Sequence, residues 1–532
     1  MKGRPGSLIS LVVLPVVAVL VGCGEGGGGT SAPAGPDPAT LAPADAPLFA
    51  EGVVRPEGAR KEALDSALSK LLATDDPGAF IVEQLDKALA GSDAGLTYQD
   101  DIEPWLGEQA GFFLETFTED ADGAAVVATT DPQAADKAIE KAAAADEEPE
   151  RRRSYDGVDY LLDRGGTAAG VVGDFLVAGT ENGFRNAVDA SKGESLAESG
   201  DFKAQLDQAP DDRVGFVYAD PRAILDALQE SGQVSSAEVA SAGPRLGALL
   251  SQPATASVSA TSDQLALQAS AATGAAPASQ ESPLLRDFPD DAWLAFAVTD
   301  IGQTYGGVLD RIRAGAGSGS LPLGGKLGLD LASQVTRWAG DIGGFVGGTS
   351  LFGLSAALVL ETSDEEASAQ TLDQLQRALG NDPAVSVEPL TESGEHGFSL
   401  TLAGAPIQFQ VAQRGDKVVA GLADSVNDVF SPSSTLDDSD AFNSAAEALG
   451  EDFAPVTFID FVPLFQLVDS FPQVQSDPDY RSAKPYLDHL DYLVLGGRRD
   501  QDRAEVRMVL GLRDAPAEAV GDSGAAAAVV GK

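Results

Sequence analysis

The feature that most restricts how this chain can fold is a series of signals that runs through its first half and then, in the same order, through its second. Pro43-Ala44-Asp45-Ala46-Pro47-Leu48-Phe49 has a counterpart in Pro289-Asp290-Asp291-Ala292-Trp293-Leu294-Ala295. Trp105-Leu106-Gly107, followed by Gly111-Phe112-Phe113, returns as Trp338-Ala339-Gly340, followed by Gly344-Phe345-Val346. Gly173-Asp174-Phe175-Leu176-Val177-Ala178-Gly179 returns as Gly415-Asp416-Lys417-Val418-Val419-Ala420-Gly421. Ser195-Leu196 to Phe202, then Asp220, match Thr435-Leu436 to Phe442, then Asp460. Anchors in one order, all offset by roughly 230 to 250 residues, predict two homologous halves.

Within each half, apolar runs alternate with helical patterns, and an aspartate often stands at the junction. Asp131-Pro132 precedes Ala135, Ile139 and Ala142; Asp220-Pro221 precedes Ile224, Leu225 and Leu228. Asp300 precedes Tyr305, Val308, Leu309 and Ile312, the i, i+3, i+4, i+7 spacing of one buried helix face. Asp364 precedes Leu372, Leu375 and Leu379, and Asp460 precedes Leu464, Leu467 and Val468. A carboxylate there accepts from the free N–H groups of the first turn and complements the helix dipole, and a following proline sacrifices no intrahelical bond. These aspartates are expected to be helix caps.

The remaining runs favour hairpins. Phe398, Leu400 and Leu402 alternate with Ser399 and Thr401; Ala403-Gly404-Ala405-Pro406 turns the chain; Ile407, Phe409 and Val411 follow in the same period of two, and a third strand covers 417–421. Runs 158–162, 168–172 and 175–178 are the counterpart. Such alternation with short glycine turns is an antiparallel meander. Val346–Leu360 reads as paired buried strands, and 492–512 as a closing hairpin turning at Asp500-Gln501-Asp502. The fold class expected is α+β: two homologous halves, each a mainly antiparallel sheet with helices packed on one face. Composition shifts divide the chain into a signal peptide at 1–22, a flexible Gly/Ala/Pro-rich tether at 23–43, a first half at 44–270, a linker at 271–284, a second half at 285–513 and a disordered tail at 514–532. A low-complexity loop, 314–323, lies early in the second half.

The N-terminus carries an export signal. Lys2 and Arg4 precede an apolar run from Leu8 to Leu20, the length of a signal-peptide core and too short for a lasting membrane span. It ends in Leu20-Val21-Gly22-Cys23, which looks like a bacterial lipobox, and Cys23 is the only cysteine in the chain. Cys23 is therefore the expected lipidation site, anchoring the protein on the outer face of the cytoplasmic membrane of a bacterium, where two or three acyl chains hold far more firmly than one.

Charge and composition remove several function classes. The net charge is −47 over 532 residues, which repels phosphate backbones, and no basic patch offsets it; nucleic acid is not an expected partner. The acidic surface serves solubility or salt tolerance. One cysteine and two histidines exclude disulfides and thiolate zinc sites and leave little for a metal cluster. Gly-x-Ser-x-Gly and Ser-x-x-Lys are absent. Gly325-Lys326 lacks the rest of a phosphate loop, since Ser320 stands where its first glycine belongs and Leu327 where its hydroxyl belongs. His396 begins an alternating strand and His489 lies among Asp488 and Asp491; both read as surface residues. Asp437-Asp438-Ser439-Asp440 is the densest set of oxygen ligands for calcium, yet lacks the glycine and distal glutamate of an EF-hand and reads as a solvated loop. Trp105 and Trp338 read as core residues repeated by duplication. No catalytic, cofactor or metal residue is assigned.

These signals resemble an uncharacterised bacterial family, a domain of unknown function found in exported or membrane-anchored proteins, whose members open on a Pro-Ala-Asp-x-Pro stretch leading into an apolar strand, here 43–50. The resemblance covers most of 43–513 and implies no activity, substrate or site residue. The function expected is that of a non-catalytic cell-envelope lipoprotein, held to the membrane through Cys23, that binds an unidentified protein or small molecule. The runner-up is a solute-binding lipoprotein of an importer, which calls for parallel crossovers, and the third is a hydrolase working with carboxylates alone.

Overall fold

The computed structural model describes residues 35–91, 95–117, 121–145, 151–241, 244–273, 281–301, 334–381, 385–390, 396–402, 408–500 and 502–515. The chain divides into two units, residues 1–275 with 501–505 and residues 276–500 with 506–532.

The first unit is built on strands β1 (Leu48–Val53), β2 (Leu106–Leu114), β3 (Gly123–Thr129), β4 (Arg151–Tyr155), β5 (Val158–Leu162), β6 (Thr167–Val172), β7 (Phe175–Thr180), β8 (Arg213–Ala219), β9 (Ala254–Ala260) and β10 (Gln264–Ala272). They lie side by side in the order β10-β9-β8-β1-β2-β3-β7-β6-β5-β4, antiparallel at each junction. The expected meander is β5–β6–β7. Its Gly173-Asp174 turn needs a positive φ, which Gly173 supplies at +60°.

Helices cover this sheet on both faces, which corrects the expectation of one. The helix Glu181–Ala190 places Phe184, Ala187 and Val188 against Phe113, Val126, Tyr160 and Val177. The helix Pro132–Ala144 places Ala135, Ile139 and Ala142 against the opposite side, where Trp105, Val127 and Leu176 point. The physical reason is legible in β3: Gly-Ala-Ala-Val-Val-Ala-Thr has no polar phase, and all of its residues are buried. A strand without alternation is a strand buried on both sides.

The second unit uses β11 (Ala292–Val298), β12 (Ala339–Gly347), β13 (Ser355–Thr362), β14 (Val385–Pro389), β15 (His396–Leu402), β16 (Gln408–Arg414), β17 (Lys417–Leu422), β18 (Ala454–Asp460), β19 (Leu490–Asp500) and, from residue 506 onward, β20 (Arg503–Leu512), whose first three residues are counted with the first unit. Its order is β20-β19-β18-β11-β12-β13-β17-β16-β15-β14, and the pairings from β19 to β14 are antiparallel. Writing β11 for β1, β12 for β2 and so on turns one order into the other. The helix Glu365–Leu379 packs Leu372 with Trp338, Phe398 and Val418, and the helix Ala423–Phe430 lies against β13, β16 and β17. The protein is an α+β chain dominated by antiparallel sheet.

Four of the expected caps form. Asp131 accepts from the N–H groups of Gln133 and Ala134, Asp220 from Arg222 and Ala223, Asp364 from Ala367 and Asp460 from Val462. The helix expected after Asp300, the turn 403–406, the loop 314–323, Gly325-Lys326, the signal peptide, Cys23 and residues 516–532 lie outside the described residues. The expected tether ends too late in the chain. Asp37 caps a 3-10 turn at Pro38–Thr40, and Ala39, Leu41 and Ala42 are buried in the core of the first unit. Short apolar residues between prolines have the composition of a spacer; here they close the end of a core. The expected linker likewise begins inside β10, and Leu284 and Leu285 are buried. Strands β4 and β14 extend the expected meanders: Arg151-Arg152-Arg153-Ser154-Tyr155 offers no apolar phase and β4 is set by its Asp156-Gly157 turn, where both residues take positive φ, whereas β14 alternates over only Val385-Ser386-Val387-Glu388 before Pro389. No helix among the described residues is long and apolar enough to cross a membrane.

Candidate functional site

A charged cavity lies in the first unit, at the end of its core. Strand alternation places Phe49 and Glu51 on the same face of β1, so the face that packs Phe49 into the aromatic core presents a carboxyl two residues on. Glu51 sits opposite Gly111 on β2 and Phe216 on β8. Gly111 has no room for a side chain, because a Cβ there would meet Pro38 at 2.9 Å and the Ala50 carbonyl at 3.0 Å. The segment holding Asp37 therefore lies close over the sheet beside Glu51.

The cavity is about 200 Å³ and is lined by Asp37, Glu51, Gln109 and Arg213 among apolar neighbours such as Val53 and Leu206. No hydrogen bond reaches the Glu51 carboxyl among the described residues. Burial is the main cause that pushes its pKa up to about 7, the Asp37 carboxylate adds to the effect, and Arg213 opposes it. Asp37 is also raised, first by burial, against the N–H of Ala39 and the charge of Arg213. Arg213 donates to the carbonyl of Pro210 at 3.3 Å, and its guanidinium lies 5.9 Å from the centre of the Phe216 ring. The site thus offers two carboxyls and one fixed cation in a small, partly apolar space. Among the described residues no three His, Cys, Asp or Glu side chains converge as a metal site would require.

The residues singled out in the sequence lie elsewhere. His396 starts β15, exposed, with Nε2 3.1 Å from Asp373 Oδ1. His489 is half-buried, and its Nδ1 is 3.0 Å from the carbonyl of Arg513. Asp437 pairs with Arg286 at 2.7 Å, and Asp438 accepts from the N–H of Thr435, so this acidic run is a capped turn. Trp105 and Trp338 are both buried, donating to the carbonyl of Asp101 at 2.5 Å and to Thr371 at 3.1 Å. The sequence reading missed Glu51. Its signal was a lone charge in phase with Phe49 inside an apolar strand.

The architecture defines the class: an α+β protein dominated by antiparallel sheet. The chain belongs to the family described as "Protein of unknown function (DUF3352)", which it matches over residues 81–509. The match begins after β1, so Asp37 and Glu51 precede it. No curated protein matches the chain. Among solved structures, crystal form IV of TP0453 is 9 % identical, covering 44 % of this chain and 80 % of its own at a TM-score of 0.25. Crystal form III of TP0453 is 11 % identical, covering 46 % and 82 % at a TM-score of 0.25, and crystal form I is 10 % identical, covering 75 % and 97 % at 0.16.

Proposed function

We propose that this chain is a non-catalytic lipoprotein of the bacterial envelope, one ancestral unit copied in tandem, anchored through Cys23 outside the cytoplasmic membrane, and that it binds a small zwitterion in the first unit. The cavity carries the ligand reading. A protonated amine is the group that Glu51, whose carboxyl accepts no hydrogen bond among the described residues, and its neighbour Asp37 attract, and an acid group is what the Arg213 guanidinium donates to. The equal strand orders and the paired caps support the tandem copy. A cavity of about 200 Å³ is small for an enzyme that must flank a glycosidic bond with two acids and water, since substrate pockets run from about 300 Å³ upward. Antiparallel pairing also speaks for this reading over an importer's solute-binding protein.

Calorimetric titration of the full chain with β-alanine, ethanolamine and propionate separates the charges. β-Alanine is expected to bind most tightly, with affinity rising about tenfold per pH unit up to the Glu51 pKa of about 7 and levelling above it, because the amine requires the ionised carboxyl. Glu51→Gln is expected to abolish the binding. Equal binding by the variant, or no heat from any of the three, defeats the ligand reading. Labelled fatty acid that fails to attach to Cys23 defeats the anchor.

A further inference from the structure

The hairpin β12–β13 ends in an apolar tip held out in water. From Ile342 to Leu360 the sequence contains no Asp, Glu, Lys, Arg or His, although 22 % of the chain is charged. At the tip Leu351 is 60 % exposed and Phe352 101 %. Scattered apolar residues on a surface are ordinary, but an aromatic ring wholly in water beside an exposed leucine is a contact surface without its partner.

The tip is built rather than loose. The N–H of Gly353 donates to Ser350 twice, to its carbonyl at 3.1 Å and its Oγ at 3.2 Å. Gly348 takes φ +87° and fits only because it has no Cβ, which would strike the Gly353 carbonyl. Trp293 donates its indole N–H to the carbonyl of Gly348 at 2.9 Å. The fold does not demand this apolar character. At the same place in the strand order of the first unit, β2 and β3 are joined by Glu115-Thr116-Phe117-Thr118-Glu119-Asp120-Ala121-Asp122, an acidic connection.

We propose that Leu351 and Phe352 form a lipid-contacting tip that dips into the membrane surface. Charge favours this partner. A chain of net charge −47 meets the least repulsion and desolvation at a bilayer where its surface carries no acid, and residues 342–360 carry none. Chain length is compatible: the twelve residues from Cys23 to Gly35 reach at most about 40 Å, so acylation holds the first unit near the bilayer and keeps the rest of the chain at a high local concentration there, whatever the placement of the second unit. The inference rests on the anchoring reading for that proximity alone. Asp290 and Asp291 stand just before Ala292, which pairs with Gly347 at the base of the tip. They restrict the contact to the tip and favour zwitterionic over anionic lipid.

The test replaces Phe352 by Trp in the full acylated chain and reads the emission gained over wild type on vesicles of phosphatidylcholine, with and without phosphatidylglycerol. The expected result is a blue shift, protection from aqueous iodide and quenching by phosphatidylcholine brominated on its acyl chains, all weaker with phosphatidylglycerol. Emission that stays water-like, open to iodide and untouched by brominated lipid overturns the proposal, whether the tip then serves a protein partner or none. Fatty acid on Cys23 without such quenching sinks the tip and leaves the anchor. Quenching without fatty acid does the reverse.

Discussion

Replacing Glu51 by Gln is expected to stabilise the first unit at pH 8 by on the order of 3 kcal/mol and to remove most of its loss of stability between pH 4.5 and 7. The sign follows from where the proton sits. Burial raises the folded pKa from 4.5 to about 7, so between those values the unfolded chain has released a proton that the folded chain still holds. Stability therefore falls as pH rises through this window, and the cost is complete above about 7. Glutamine keeps the shape and carries no charge, so the variant and wild type converge at pH 4. A shallow slope of the same sign survives in the variant, because Asp37 is raised as well. Urea unfolding at pH 4, 6 and 8, followed by a probe in the first unit, measures this. An unchanged slope would mean that water reaches the carboxyl freely, and the zwitterion reading would lose its main support.

The contrast between Glu51 and the caps shows what the sequence makes legible. Asp131, Asp220, Asp364 and Asp460 act within their own first turn, so sequence spacing alone locates them. The meanders were equally local, since Gly173 and Gly415 mark turns of fixed geometry, at φ +60° and +58°. The cavity was not local. Asp37, Glu51, Gln109 and Arg213 are far apart in the chain and meet only because β1 lies between β2 and β8, an order that no spacing discloses. The number of covered faces failed for a related reason. The all-apolar β3 announced burial on both sides, but the hydrophobic phase of the helix Pro132–Ala144 fixes only which of its own faces is inward, not which side of the sheet it takes.

Alanine at Gly179 and alanine at Gly421 are expected to be the most damaging single methyl groups tested, each lowering the stability of its own unit by about 3 kcal/mol or more. Gly179 on β7 lies opposite Ala124 on β3, and an added Cβ would fall on the Gly123 carbonyl and 2.6 Å from the Ala124 Cα. Gly421 on β17 lies opposite Ala357 on β13, and its Cβ would fall on the Ala356 carbonyl and 2.8 Å from the Ala357 Cα. Both obstacles are sheet backbone, met near the ends of β7 and β17, which cannot swing aside as a side-chain tip can. Gly340→Ala is the control, because its Cβ would meet nothing closer than the Glu361 carbonyl at 3.6 Å; its effect is expected to stay within about 1 kcal/mol. Separate denaturation midpoints for the two units read all three variants. These glycines end the two occurrences of the Gly-Asp signal, so the comparison also probes the proposed tandem copy, which predicts a similar penalty at the equivalent junction. Should Gly179→Ala be tolerated while Gly421→Ala unfolds its unit, the two sheets would share an order of strands but not the packing between them, and descent from one unit would lose its physical ground.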